Sequence, residues 1–174
     1  MFRTTKSETV YRGILFDVLR EEVEGRRRSF VRELVVHPGA VAVVPVLDDG
    51  RLVLIRQYRH AVREWLVEVP AGTIEDESPE ECARRELEEE VGYRADKLQK
   101  LAEFYLAPGY STELLHVFTA WRLTRTAART AEDEQISVFE TGLAEVFEMV
   151  LSGKIRDAKT IASLLLFRQV YGTG

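Results

Sequence analysis

Cysteine is almost missing from this chain. Cys82 is the only one in 174 residues, so no disulfide can form within it, and a reducing, cytoplasmic setting is expected. No apolar run approaches the roughly 20 residues that a membrane helix needs. The opening stretch MFRTTKSETVYRG lacks the apolar stretch of a signal peptide. The five prolines and eleven glycines are scattered, so no linker, repeat or low-complexity tract is evident. Positive charge is not in excess: 24 basic residues against 29 acidic ones leave a net charge of −5. That balance argues against a general binder of nucleic acid or of acidic membranes. His37, His60 and His116, the only histidines, show no metal-ligand spacing. What remains is a soluble chain, 45% hydrophobic and 30% charged, with length for one domain or one domain plus a small extension.

The negative charge that is present is concentrated. Residues 75 to 90 carry nine acids against Arg84 and Arg85, a local net of −7 that exceeds the net of the whole chain. Around this segment the pattern is mostly strands. Ile14–Glu24 and Ser29–Val36 read as two strands joined by the polar turn Gly25-Arg-Arg-Arg. Ala40–Leu47 is an apolar run suited to a buried strand, and Asp48-Asp-Gly signals a hairpin returning along Arg51–Tyr58. Trp65–Val69, Leu98–Ala107, Leu114–Trp121 and Ile136–Glu140 are further candidate strands. Two helices close the chain, one marked by Leu143, Val146, Phe147, Val150 and Leu151, the other by Ile161, Leu164, Leu165 and Phe167. The order of elements predicts an α/β (α+β) sandwich, a mixed β-sheet between helices.

The clearest helix lies inside the acidic segment. Ser78 is a good N-cap, Pro79 suits the first turn, Glu81 completes a capping box, and Gly92 ends the helix. A helix turns about 100° per residue, so with Glu86 at zero, Glu90 lies at about 40° and Glu89 at about −60°, while Glu88 falls at about 200° on the far side. Arg85 stands one turn from Glu81 and from Glu89, well placed to orient a carboxylate. Like charges one turn apart repel unless a cation compensates. Oxygen ligands without Cys or His partners favour Mg²⁺, Mn²⁺ or Ca²⁺ over zinc. On this pattern alone, a solvated acidic face and a cation site are both open readings, and Cys82 reads as a small semi-buried residue.

Together with the loop before it, the helix resembles the Nudix box. Glu77, seven intervening residues, then Arg85-Glu86-Leu87-Glu88-Glu89-Glu90-Val91-Gly92-Tyr93 match the second part of that pattern throughout. The first part departs from it: four residues rather than five separate Gly72 from Glu77. Arg32-Glu33, His37-Pro-Gly-Ala-Val, Arg56-Gln-Tyr-Arg, Glu68-Val-Pro-Ala-Gly, Ala107-Pro-Gly-Tyr and Gly153-Lys-Ile-Arg-Asp-Ala-Lys-Thr are similar to the ADP-ribose pyrophosphatase branch, as is Pro108, sixteen residues past Gly92.

The resemblance implies a Nudix catalytic domain over 37–174. It also implies an N-terminal strand extension over 1–36 that is exchanged between the subunits of a homodimer. The expected reaction is Mg²⁺-dependent hydrolysis of ADP-ribose to AMP and ribose 5-phosphate, with Mn²⁺ as a substitute. Alternatives are another nucleoside diphosphate sugar, such as an ADP- or GDP-hexose, a ligand sensor without catalysis, or an acidic calcium-binding module. By the same resemblance Glu86, Glu90, Glu134 and the carbonyl of Ala71 hold the metal, and Glu89 is a ligand or an orienter beside Arg85. Glu132 is the general base from the acidic knot Glu132-Asp133-Glu134, a role a neighbouring residue could take. Arg59 grips the diphosphate, since guanidinium matches phosphate oxygens. Arg32 and Glu33 face the adenine side, and Glu113 contacts ribose or metal.

Overall fold

The computed structural model describes residues 2–126 and 135–172. Its elements run β1 (Arg3–Arg12), β2 (Asp17–Glu24), β3 (Ser29–Val36), β4 (Ala40–Pro45), β5 (Leu52–Arg59), β6 (Glu64–Glu68), β7 (Ala71–Thr73), α1 (Pro79–Val91), β8 (Tyr93–Tyr105), β9 (Leu114–Arg125), β10 (Ile136–Thr141), α2 (Leu143–Leu151) and α3 (Ala158–Tyr171). The chain divides into two compact units, Met1–Gly39 with Phe104–Leu114, and Ala40–Glu103 with Leu115–Gly174.

In the first unit β1, β2 and β3 form an antiparallel sheet in that order. The β2–β3 register runs without a break from Asp17↔Val36 to Glu24↔Ser29 across the Gly25-Arg-Arg-Arg turn. The Gly25 N–H closes that turn on the Arg28 carbonyl at 3.0 Å. Strand β1 is an addition to the expected pair. All ten of its residues are exposed, so no buried face marks it in the sequence. The 104–114 segment joins this unit through Val35, whose N–H donates to the Tyr110 carbonyl (2.7 Å) and whose carbonyl accepts from the Thr112 N–H (3.0 Å).

The second unit is built on β4, every residue of which is buried. It pairs in parallel with β9, from Ala40↔Leu115 to Pro45↔Ala120, and antiparallel with β7, in a sheet ordered β7-β4-β9-β8. A second sheet is ordered β10-β5-β6. The expected hairpin at Asp48-Asp-Gly is therefore only partly formed. Gly50 takes the positive φ of the turn and an isolated bridge joins Val46 to Leu52, but β4 and β5 then enter different sheets. Val41–Val46 and Leu52–Ile55 are all buried. Such continuous apolar runs need cover on both faces, which a two-stranded ribbon cannot provide.

Helix α1 begins and ends where the sequence predicts. Ser78 accepts from the Glu81 N–H, Glu81 reaches back in a complete capping box, and Gly92 is left-handed. Its apolar stripe, with Ala83, Leu87 and Val91, packs into a core with Val41, Val43, Val53, Ile55 and Phe118. Each of the larger side chains among these contributes about 1.5–3 kcal/mol by its burial. Helix α1 thus lies on β4 and β7, while α3 packs on β4. Phe167 and Tyr171 of α3 meet Trp121 of β9 with ring centroids 5.9 and 5.3 Å away. The expected mixed α+β architecture is present.

Candidate active site

The second unit gathers a group of carboxylates where α1 faces the backbone of β7. Glu86 and Glu90 are buried, at 9% and 3% exposure, and they stand one helical turn apart. The N–H of Ala71 donates to Glu90 Oε2 at 2.9 Å. Gly72 lies so close to Glu86 that a Cβ built on it would fall 1.9 Å from Glu86 Oε1, a distance no real atom pair tolerates. The absence of a side chain at Gly72 is what lets the Glu86 carboxylate lie where it does.

Arg85 orders the outer part of the group. Its Nη1 donates to Glu86 Oε1 (2.7 Å) and to Glu89 Oε2 (3.0 Å), and its Nε and Nη2 both grip Glu77 Oε1 (3.0 and 2.6 Å). The hydrogen bonds it donates to Glu77 above all, joined by the charge of Glu86, hold Arg85 firmly protonated, well above its ordinary range. In return Arg85 depresses the pKa of Glu77. Glu81, one turn before Arg85, is committed to the Ser78 cap instead. Glu88 points away from this group, as the helical phase predicts, and pairs with Arg94 at 3.0 Å. The loop that is one residue short therefore leaves both of its ends engaged, Gly72 against Glu86 and Glu77 on Arg85.

Arg59 closes the other side. Its Nε and Nη2 form a fork on Glu68 at 2.9 and 2.7 Å, and Glu68 is fully buried. Those bonds, reinforced by the charges of Glu90 and Asp157, raise the pKa of Arg59. Burial pushes Glu68 upward, but Arg59 and Lys159 outweigh it and hold that carboxyl below its ordinary range. Sequence reasoning assigned no role to Glu68 or Lys159; the only signal was their place in two of the family-like segments.

The donor set suits a hard divalent cation. Among the described residues the oxygen-bearing side chains gathered here are carboxylates, two of them buried; three acids (Glu77, Glu86, Glu89) pair with Arg85, and Glu90 sits against the Ala71 N–H. Among the described residues no three Asp, Glu, His or Cys side chains form a ready cage by themselves. A cation there would draw on backbone oxygen, water or further carboxylates as well. Glu132 and Glu134 lie outside the described residues. Cys82 is buried beneath the group, with its thiol pushed up to about 12 chiefly by burial, and is not a thiolate ligand at neutral pH. Arg32, Glu33 and Glu113 belong to the first unit. Arg32 stacks over Phe30, 4.2 Å from its centroid, Glu33 pairs in register with Arg20, and the Glu113 carbonyl accepts from the Leu106 N–H.

The model of the NUDIX domain matches residues 36–164. The chain is 41% identical to an ADP-ribose pyrophosphatase of Bacillus subtilis (strain 168), with 91% of this chain and 88% of that protein covered. It is 38% identical to a GDP-mannose pyrophosphatase of Cronobacter sakazakii, covering 89% of this chain and 85% of the relative. Among solved structures, that of an ADP compounds hydrolase superposes with a TM-score of 0.88 at 29% identity, over 98% of this chain and 94% of the other. With an intact box helix, its carboxylates folded against the preceding glycine strand, and full-length relatives of the same kind, this chain belongs to the Nudix hydrolase family.

Proposed function

We propose that this chain hydrolyses the pyrophosphate bond of ADP-ribose, yielding AMP and ribose 5-phosphate. The observation that carries the reading is the pair Glu86 and Glu90, buried against the Ala71–Gly72 backbone in an acidic group with one arginine. The B. subtilis relative, named an ADP-ribose pyrophosphatase, supports the choice of substrate.

Glu86, Glu90, Glu134 and the carbonyl of Ala71 are the groups that would hold Mg²⁺ or, in its place, Mn²⁺. Bound there, the cation neutralises phosphate oxygens and lowers the pKa of a water. Arg85 aims Glu86 and Glu89 through its Nη1 hydrogen bonds, and Glu89 serves as a further ligand or orients one. Glu132 accepts the proton of the attacking water. Arg59 spends its Nε and Nη2 on Glu68, which leaves Nη1 for the diphosphate. Arg32 and Glu33 take the adenine side, and Glu113 takes ribose or the cation. We place the enzyme in the cytoplasm as a homodimer formed through the 1–36 extension. Exposed Tyr11, Ile14 and Leu15 support that surface.

A panel of nucleoside diphosphate compounds, assayed with Mg²⁺ and with product identification, tests the reading. ADP-ribose is expected to give AMP with kcat/KM at least about tenfold above GDP-mannose, chelation to abolish turnover, and Mg²⁺ or Mn²⁺ to restore it. Turnover that survives chelation would remove the metal from the reaction. Preferred turnover of GDP-mannose would reassign the substrate; the C. sakazakii relative gives that second reading its support.

A further inference from the structure

Four consecutive residues lead from β6 into β7, and each is held by a different contact. The Val69 N–H donates to Thr160 Oγ1 of α3 at 3.0 Å. The Pro70 carbonyl accepts from the Val43 N–H of β4 at 2.9 Å. The Ala71 N–H holds Glu90, and Gly72 abuts Glu86. The last three contacts belong to the central sheet and the box helix. The first comes from the start of α3, far along the chain.

That helix start is a compact polar group. Asp157 caps α3, accepting from the Thr160 N–H (2.9 Å) and the Thr160 hydroxyl (2.6 Å) on the same oxygen. Thr160 is fully buried, so its hydroxyl can donate to Asp157 only while its lone pair faces Val69, which sets the direction of both bonds. Lys159, with a side chain only 12% exposed, bridges Asp157 Oδ2 (2.9 Å) and Glu68 Oε2. Glu68 in turn carries the fork of Arg59. Two cations and two anions thus form one linked group, buried at Glu68 and Lys159 and opening to solvent at Arg59. A buried ionic group of this kind adds little net stability over an apolar cluster of the same volume. What it supplies is direction: the plane of Glu68 sets the plane of Arg59, and Thr160 sets the height of the Val69–Gly72 backbone against α1.

We propose that Thr160 and Lys159 are positioning residues for the hydrolysis: Thr160 holds the Val69–Gly72 backbone in register with Glu86 and Glu90, and Lys159 steadies Glu68 so that Arg59 meets the diphosphate squarely. The proposal rests on the cation and diphosphate roles proposed above, and it separates them by residue. Thr160 acts on the cation side and Lys159 on the diphosphate side.

Mn²⁺ binding to the full-length protein without substrate, followed by electron paramagnetic resonance, is combined with kcat and KM for ADP-ribose. Thr160→Val is expected to weaken Mn²⁺ binding about tenfold and to lower kcat, while Thr160→Ser, which keeps the hydroxyl, stays within about twofold of the parent. Lys159→Met is expected to raise KM about tenfold with Mn²⁺ affinity unchanged, and Lys159→Arg to recover most of the loss. Parent-like Mn²⁺ affinity in Thr160→Val, or a loss shared equally by Thr160→Ser, overturns the role of Thr160. Unchanged KM in Lys159→Met overturns that of Lys159. Should Thr160→Val fail to fold, amide exchange in the parent protein decides: the Val69 N–H is expected to exchange only with global unfolding, and rapid local exchange overturns the proposal. A parent protein that is idle on ADP-ribose, with Thr160→Val still weak for Mn²⁺, would strike the substrate reading and leave Thr160 in its role.

Discussion

Gly72 leaves no space for even a methyl group, because Glu86 Oε1 occupies the position a Cβ would take. Gly72→Ala should therefore drive the Glu86 carboxylate out of its place. Overpacking of this kind costs about 1–3 kcal/mol, visible as a lowered Tm, and kcat should fall with it because Glu86 moves. The carboxylates themselves divide by where they point. Glu86→Gln and Glu90→Gln should each lower kcat by about 10²-fold or more, while Glu88→Gln, which loses only the exposed pair with Arg94, should stay near the parent value. Equal losses at all three positions in steady-state assays would contradict the placement of the group on one helix face.

At the scale of the element, α1 is the part most plainly written in the sequence. Ser78, Glu81 and Gly92 are local signals, three residues apart or adjacent to the helix, and each does in the structure what its chemistry implies. Ser78→Ala should cost about 1 kcal/mol in thermal or urea unfolding, because it leaves the Glu81 N–H without its cap. Other elements left no such trace. β1 buries no face, so its alternation carries no signal, and β7 is three residues long and reads as a turn after Pro70. The separation of β4 and β5 into two sheets depends on what covers them, which the short Asp48-Asp-Gly turn does not record. The box carboxylates were legible because a helix repeats every few residues. The Thr160 and Lys159 contacts join positions 91 residues apart to Val69 and Glu68, so no local pattern could announce them.

For the molecule as a whole, the buried charges tie stability to pH. Glu68 has a depressed pKa when folded, so its contribution is complete above the ordinary carboxylate range and is lost as pH falls through the depressed value. Glu68→Gln should accordingly lower the unfolding free energy, and Tm with it, most near neutral pH, by less than the about 3–5 kcal/mol of a fully buried pair because Arg59 is partly exposed. The gap from the parent should narrow in acid; a gap that widens below the ordinary carboxylate range would contradict the assignment.

The parallel pairing of β4 with β9 joins residues 40–45 to residues 115–120, and α1 lies wholly within the loop that this pairing closes. Such a closure is paid in chain entropy before its contacts form, and folds dominated by distant pairings are slow to form. The box helix can gain its backbone hydrogen bonds early, since its caps are local, but its carboxylates have no strand to face until β4 is in place to carry β7. Refolding should therefore run in two visible stages. Far-UV circular dichroism should recover a helical signal first, and the capacity to capture Mn²⁺ should return only with the later, slower phase, making the cation a reporter of when the chain has closed.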